Sequence, residues 1–229
     1  MTRLKWFELL TDVKLPDISI ALQERRFRRQ GSSCGFEIIE TSSDKMSARF
    51  IQEEKLTETV IDPFGQEISN SFVRYSHFLF SVVQGRERLL LRVHSGPRSL
   101  RVFIGELSSA LNGDIALSEI HVDIEAFVLM FKKIPSVRKL RVTQAVFYDV
   151  PITESSTGRV LIASQRNAIE DFNQRLSGGR LDRVSITIHF QDFIVLPLEV
   201  SSRGSLKIDP QWEDFSLFDS MFFDFKNFI

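Results

Sequence analysis

Hydrophobic and polar positions alternate most clearly between Arg180 and Val200, RLDRVSITIHFQDFIVLPLEV. Val184, Ile186, Ile188 and Phe190 interleave with Ser185, Thr187, His189 and Gln191, so one face of an extended segment buries apolar area while the other meets water. That pattern predicts a half-buried antiparallel strand. Gln191 and Asp192 supply a reversal, Phe193 to Leu196 is apolar on both faces, and Pro197 lacks a ladder donor. The stretch therefore predicts a hairpin whose second strand ends, bulges or reaches a sheet edge at Pro197.

From the N-terminus, Leu4, Phe7 and Leu10, with Trp6, predict a short opening helix that Pro16 breaks before Ile18, Ala21 and Leu22 begin another turn. Short strands are expected at Gly35 to Glu40 and Ala48 to Ile51 around the polar turn Thr41 to Lys45. A charged stretch from Glu53 to Asn70, with Asp62-Pro63 and Gly65, reads as an extended hairpin or mobile loop. Val73 to Val83 and Leu89 to Val93 form a second antiparallel pair around Gln84 to Glu87. Leu100, Phe103, Ile104, Leu107 and Leu111 predict a helix over Ser99 to Leu111, closed by Gly113. Ile120, Ile124, Phe127, Phe131 and Ile134 predict the next, with Asp123 as N-cap and Pro135 beyond its end. A strand from Val137 to Tyr148 and a polar loop from Thr153 to Gly158 lead to a helix carrying Ile162, Ile169, Phe172 and Leu176, ended by Gly178-Gly179. After the hairpin, Leu206 to Ile208 is a last strand.

This order predicts an α+β protein: a mixed, mostly antiparallel sheet of hairpins with three to four packed helices and an aromatic C-terminal segment, not a doubly wound parallel sheet. No linker-like composition appears, so a single domain over 1–229 is expected, with a weak subdivision near Gly113.

Composition narrows the classes. With 43% hydrophobic residues the chain is a folding one, and 29 basic against 30 acidic residues argues against a surface that is one continuous nucleic-acid or membrane footprint. The single cysteine, Cys34, rules out an internal disulfide framework and fits a reducing compartment, so the cytoplasm is expected. Charges run through the opening residues and no run reaches 18 uncharged apolar residues, so neither a signal peptide nor a membrane span is expected. Twenty-one phenylalanines against two tyrosines point to thick packing or a greasy interface.

Candidate chemistry is sparse. Phosphate-loop, dinucleotide, zinc-protease and serine-elbow motifs are absent. A metal-dependent nuclease requires an acid and an (Asp/Glu)-x-Lys triplet around one ion, which Asp44 with Glu53 and Lys55 would supply. Three such triplets occur (Asp12/Lys14, Glu53/Lys55, Asp224/Lys226) where chance alone gives about 1.2. His121, Asp123 and Glu125 would share a strand face like metal ligands, but the helical spacing from Ile120 rotates them apart. Cys34, close behind four arginines, is either a thiol of lowered pKa or a small strand-start hydrophobe. No cofactor is implied, and the balance leans away from an enzyme.

Two patches stand out. Arg25, Arg26, Arg28 and Arg29 surround Phe27, and Arg86, Arg88, Arg92, Arg98 and Arg101 surround His94-Ser95-Gly96. Strand alternation sets Arg86, Arg88 and Arg92 opposite Leu89, Leu91 and Val93, as a phosphate-binding side or an ordinary solvated one. At the C-terminus, Trp212, Phe215, Phe218, Phe222 and Phe225 follow helical steps, with Met221 and Phe228 at the margin and Asp209, Glu213, Asp214, Asp219 and Asp224 around them. At ~2 kcal/mol per ring the stripe is worth ~10 kcal/mol, so it docks on its own domain or on another chain. The expected function is a non-catalytic interaction protein that self-associates or joins a complex through this segment. The alternatives are a nucleic-acid-binding protein using the two arginine clusters and, third, the nuclease.

Overall fold

The structure is a computed structural model that describes residues 1–29, 32–61, 63–113, 115–192, 194–212 and 214–225. Of the positions singled out above, Asp62, Phe193, Glu213, Lys226 and Phe228 lie outside the described residues. In chain order the elements begin with β1 (Thr2–Leu10), α1 (Leu15–Glu24), β2 (Cys34–Thr41), β3 (Lys45–Ile61), β4 (Glu67–Gln84), β5 (Leu89–His94), α2 (Arg101–Ala110) and β6 (Ala116–Glu119). They continue with α3 (Ile124–Lys132), β7 (Val137–Thr153), β8 (Ser156–Ala163), α4 (Ala168–Asn173), β9 (Arg180–Phe190), β10 (Val195–Ser201), β11 (Ser205–Ile208) and α5 (Ser216–Phe223). The fold is α+β and mostly antiparallel, with five helices among the described residues rather than three to four. The chain divides into two compact units, Leu9–Ala116 and a second made of Met1–Glu8 with Leu117–Ile229.

In the Leu9–Ala116 unit the strand order is β2-β3-β4-β5. The register Phe36↔Phe50↔Phe78 and Ala48↔Phe80↔Val93 gathers one parity of side chains on one face. There α2 inserts Phe103, whose ring lies 5.0 to 6.3 Å from those of Phe36, Phe50, Phe78 and Phe80. Edge-to-face geometry favours this cluster beyond its buried area. Pro16 does not merely break a helix: it occupies the first turn of α1, where its missing N–H costs nothing.

β3 and β4 outrun their neighbours. β2 stops pairing β3 at Gln52 and β5 stops pairing β4 at Leu79, yet the β3–β4 ladder continues from Glu53↔Tyr75 to Ile61↔Glu67. The charged stretch expected as a hairpin or loop is thus a two-stranded arm of roughly 30 Å. Cross-strand bonds join Thr57 to Ser71 at 3.2 Å, Thr59 to Ser69 at 3.0 Å and Arg74 to Glu54 at 2.5 Å. Phe64 at its tip is 90% exposed.

In the other unit the order is β1-β11-β10-β9-β7-β8, with β6 on β1. The expected opening helix is a strand. Leu4 and Trp6 are buried at period two, and pairing of Thr2 to Lys5 with β11 settles a short apolar run that fits either period. The Arg180–Val200 hairpin forms as expected, Val184, Ile186 and Ile188 lying opposite Val200, Leu198 and Leu196. Pro197 pairs Thr187, and the β10–β11 register begins only at Leu198, so the proline sits where one flank of β10 opens.

The expected helix from Ile162 to Leu176 is mostly not one. Ile162 lies in β8, where Val160 and Ile162 follow the strand period, and only α4 is helical, started by Asn167, whose side chain accepts from Ile169 N at 3.1 Å. Phe172 stacks on Phe147 at 3.6 Å. Asp123 caps α3 as expected, accepting from Ala126 N at 3.0 Å, although the helix starts at Ile124 and not at Ile120.

The C-terminal stripe docks within its own unit. Phe222 stacks on Trp6 at 4.2 Å, Phe218 lies 6.0 Å from Phe131, and Phe225 lies 6.2 Å from Phe127. Phe218, Phe222 and Phe225 are buried, while Trp212 and Phe215 are half-buried. No helix among the described residues is long and apolar enough to cross a membrane.

Candidate functional site

Gly35 is where the site begins. A Cβ there would stand 2.7 Å from Phe27 Cα and 2.9 Å from the Arg25 carbonyl, so only glycine lets the chain leaving α1 press against β2. Phe27 N donates to Phe36 O at 3.0 Å and Phe36 N to Arg25 O at 3.1 Å, closing a parallel bridge between Arg26 and Phe36. This fastening fixes Arg26, Phe27 and Arg29 beside the sheet face opposite the phenylalanine core.

On that face the registers Glu37↔Arg49, Ile51↔His77 and Glu53↔Tyr75 line up three strands. Together they form an open cleft of about 410 Å³ lined by Arg26, Phe27, Arg29, Glu37, Arg49, Ile51, Tyr75 and His77. Arg49 donates to Glu37 at 3.0 Å, and the Phe27 ring meets Tyr75 edge-on at 6.2 Å. Partial burial and a hydrogen bond to Glu53 raise the Tyr75 pKa, with Arg29 acting the other way. Three guanidiniums, one carboxylate, one imidazole and two rings make a mouth that attracts anions and offers flat apolar faces.

Two of the arginines singled out in the first cluster, Arg26 and Arg29, therefore enter the cleft, while Arg25 and Arg28 are exposed but do not line it. Arg49, Tyr75 and His77 were missed, because only the β3–β4 register brings them to the same face as the arginine segment. The second cluster disperses. Arg86, Arg98 and Arg101 are exposed and Arg88 is half-buried, but Arg92 is 3% exposed. It donates from Nε to His94 Nε2 at 3.0 Å and from Nη2 toward Ser81 Oγ at 3.4 Å, because β5 is buried on both faces. Burial, then the charges of Arg92 and Lys45, lower the His94 pKa to about 4.

The candidate metal and nucleophile positions do not assemble. Asp44 precedes β3 and Glu53 lies nine extended residues further along, roughly 30 Å away. One ion cannot bridge that span. His121, Asp123 and Glu125 line a second open cleft of about 650 Å³ with Glu119, Arg180 and Arg203, but Asp123 is spent capping α3. Among the described residues no three His, Cys, Asp or Glu side chains are grouped to hold a metal. The Cys34 thiol is pushed up by burial and by a hydrogen bond with Glu106, the opposite of an activated nucleophile. No protein-family model and no curated protein sequence matches this chain.

Proposed function

We propose that this protein is a non-catalytic nucleic-acid-binding protein that takes a single strand in the cleft of its Leu9–Ala116 unit. The observation that carries the reading is the convergence of Arg26, Arg29 and Arg49 with Phe27 and Tyr75 around one concavity. Guanidiniums neutralise phosphates, and aromatic rings reach base faces only when the bases are unstacked, which favours a single strand over a duplex. The near-neutral chain makes this a local attraction and not a property of the whole surface. Self-association through the C-terminal aromatic segment has less support, since Phe218, Phe222 and Phe225 are already buried in their own unit.

The test is fluorescence anisotropy with labelled oligo-dT and oligo-rU of about fifteen nucleotides, within the span of one such site. Three phosphate contacts on a single strand give a log–log salt slope of about −2. Arg26→Ala/Arg29→Ala removes about 1.4 of that slope. Tyr75→Ala weakens binding by roughly tenfold or more at unchanged slope, since stacking carries no counterions. Absence of binding at low salt, or binding indifferent to these substitutions, ends the reading.

A further inference from the structure

Among the described residues lining the cleft, Glu37 alone is a carboxylate. It stands with Arg26, Arg29 and Arg49 and cancels part of the attraction they exert on a phosphate. The register Glu37↔Arg49 sets it on the cleft face of β2, where Arg49 Nη1 donates to its Oε2 at 3.0 Å. The Glu37 side chain is 44% exposed and that of Arg49 41%, so water screens the pair and it adds little to the stability of the sheet. What the bond does is set the direction of the carboxylate. Oε1 accepts no hydrogen bond among the described residues, and Oε2 keeps a second lone pair. The cleft thus holds an oriented acceptor, with capacity left on both oxygens, that a phosphate cannot use.

We propose that Glu37 reads guanine in the bound strand. The inference rests on the single-strand reading of the cleft and adds a base preference to it. Guanine is the nucleobase whose Watson–Crick edge carries two donors side by side, N1–H and the 2-amino group, and the two oxygens of a carboxylate match them. Adenine and cytosine offer one amine beside an acceptor nitrogen, which sets a lone pair against the second oxygen. Thymine and uracil offer one N–H between two carbonyl oxygens, which the carboxylate repels. Along β3, Arg49 and Glu53 are four residues apart, roughly 13 Å at the strand rise, and Glu53 lies opposite Tyr75. The base stacked on Tyr75 and the base that meets Glu37 are therefore different nucleotides of one strand.

The experiment is fluorescence anisotropy on the full chain with four labelled strands: oligo-dT of about fifteen nucleotides, and the same strand with one central dG, dC or dA. The dG strand is expected to bind roughly tenfold more tightly than oligo-dT, the worth of one bidentate contact to a base, and the dC and dA strands within about threefold of it. Hypoxanthine in place of guanine lacks only the 2-amino group and loses most of the gain, a readout that leaves the protein unaltered. Glu37→Gln, whose amide N–H₂ faces the base donors, abolishes the gain and tightens oligo-dT, because a carboxylate leaves the path of the phosphates. A variant that merely loosened the cleft would weaken both strands. Free 5′-GMP competes about a hundredfold less well than the dG strand, since it forgoes the stacking and the other phosphate contacts. Equal binding of the four strands, a preference for dC or dA, or a dG gain that survives Glu37→Gln overturns the guanine reading and leaves the single-strand reading in place. Competition by 5′-GMP as strong as that of the strand makes the ligand a mononucleotide and overturns the strand as its source. Absence of binding by every strand at low salt overturns the single-strand reading and this inference with it.

Discussion

Trp6 donates its indole N–H to Asp219 Oδ1 at 2.8 Å while its ring lies flat on Phe222. The pair joins the first strand to the last helix, 213 residues apart in sequence. Both partners are buried, and a buried carboxylate is tolerated only when it is hydrogen-bonded. Trp6→Phe keeps a stacking ring and removes the donor, so a loss of about 1–3 kcal/mol in urea unfolding is expected. Trp6→Phe/Asp219→Leu should recover part of it by removing the buried carboxylate. A Trp6→Phe variant as stable as wild type would show that this bond contributes nothing.

The two faces of β9 should respond differently to charge. Ile186 is buried between Leu198 and Val142, whereas Thr187 is half-buried on the opposite side. Ile186→Asp is expected to abolish folding of this unit, and Thr187→Asp to be much milder. Circular dichroism and urea titration separate them; equal damage would mean that both faces are covered.

Glycine substitutions give opposite signs at two sites. Gly35→Ala drives a methyl into the backbone of Phe27, so a loss of about 1–3 kcal/mol is expected, together with weaker oligonucleotide binding as Arg26 and Arg29 are pushed from the cleft. Gly105, inside α2, has open space around its Cβ position. Gly105→Ala should stabilise by about 0.5–1 kcal/mol through helix propensity alone. Thermal melting of both variants checks the pair, and a destabilised Gly105→Ala would contradict the packing described for α2.

His94 makes stability pH-dependent. Its folded pKa of about 4 lies below its ordinary 6.5, so the unfolded chain binds more protons between those values. Stability is full above about pH 6.5 and falls as the pH drops toward 4, on the order of 3 kcal/mol for this residue. Urea midpoints at pH 7 and pH 5 measure the fall. His94→Gln, which can still accept from Arg92, should flatten it; an unchanged slope assigns the effect to other groups.

Elements whose period was unambiguous were legible in the sequence. The Val184–Ile188 alternation and the Asp123 cap each carry a local physical reason that tertiary packing did not overrule. Short apolar runs were not legible. Leu4, Trp6 and Phe7 satisfy helix and strand alike until β11 pairs with Thr2 to Lys5, and Ile162 was counted toward a helix that starts only at Ala168. Half of the cleft was visible as the arginines around Phe27. The other half depends on which residues of β3 and β4 stand opposite one another, and Gly35, the local sign that a chain crosses there, read only as the start of a strand. Arg92 was misjudged because alternation alone assumes that one face of β5 meets water.

The β3–β4 arm has a kinetic consequence. Beyond Glu53, whose N–H still donates to Ser33 O, the two strands pair only with each other among the described residues, and a lone pair of strands is marginal in water. Its amides should therefore exchange with solvent deuterium by fraying from the Phe64 end, fastest near Ile61 and Glu67 and progressively slower toward Tyr75. The slow end of that gradient is the wall of the cleft, so His77 and Ile51 sit where the lability of the arm gives way to the rigidity of the four-stranded sheet.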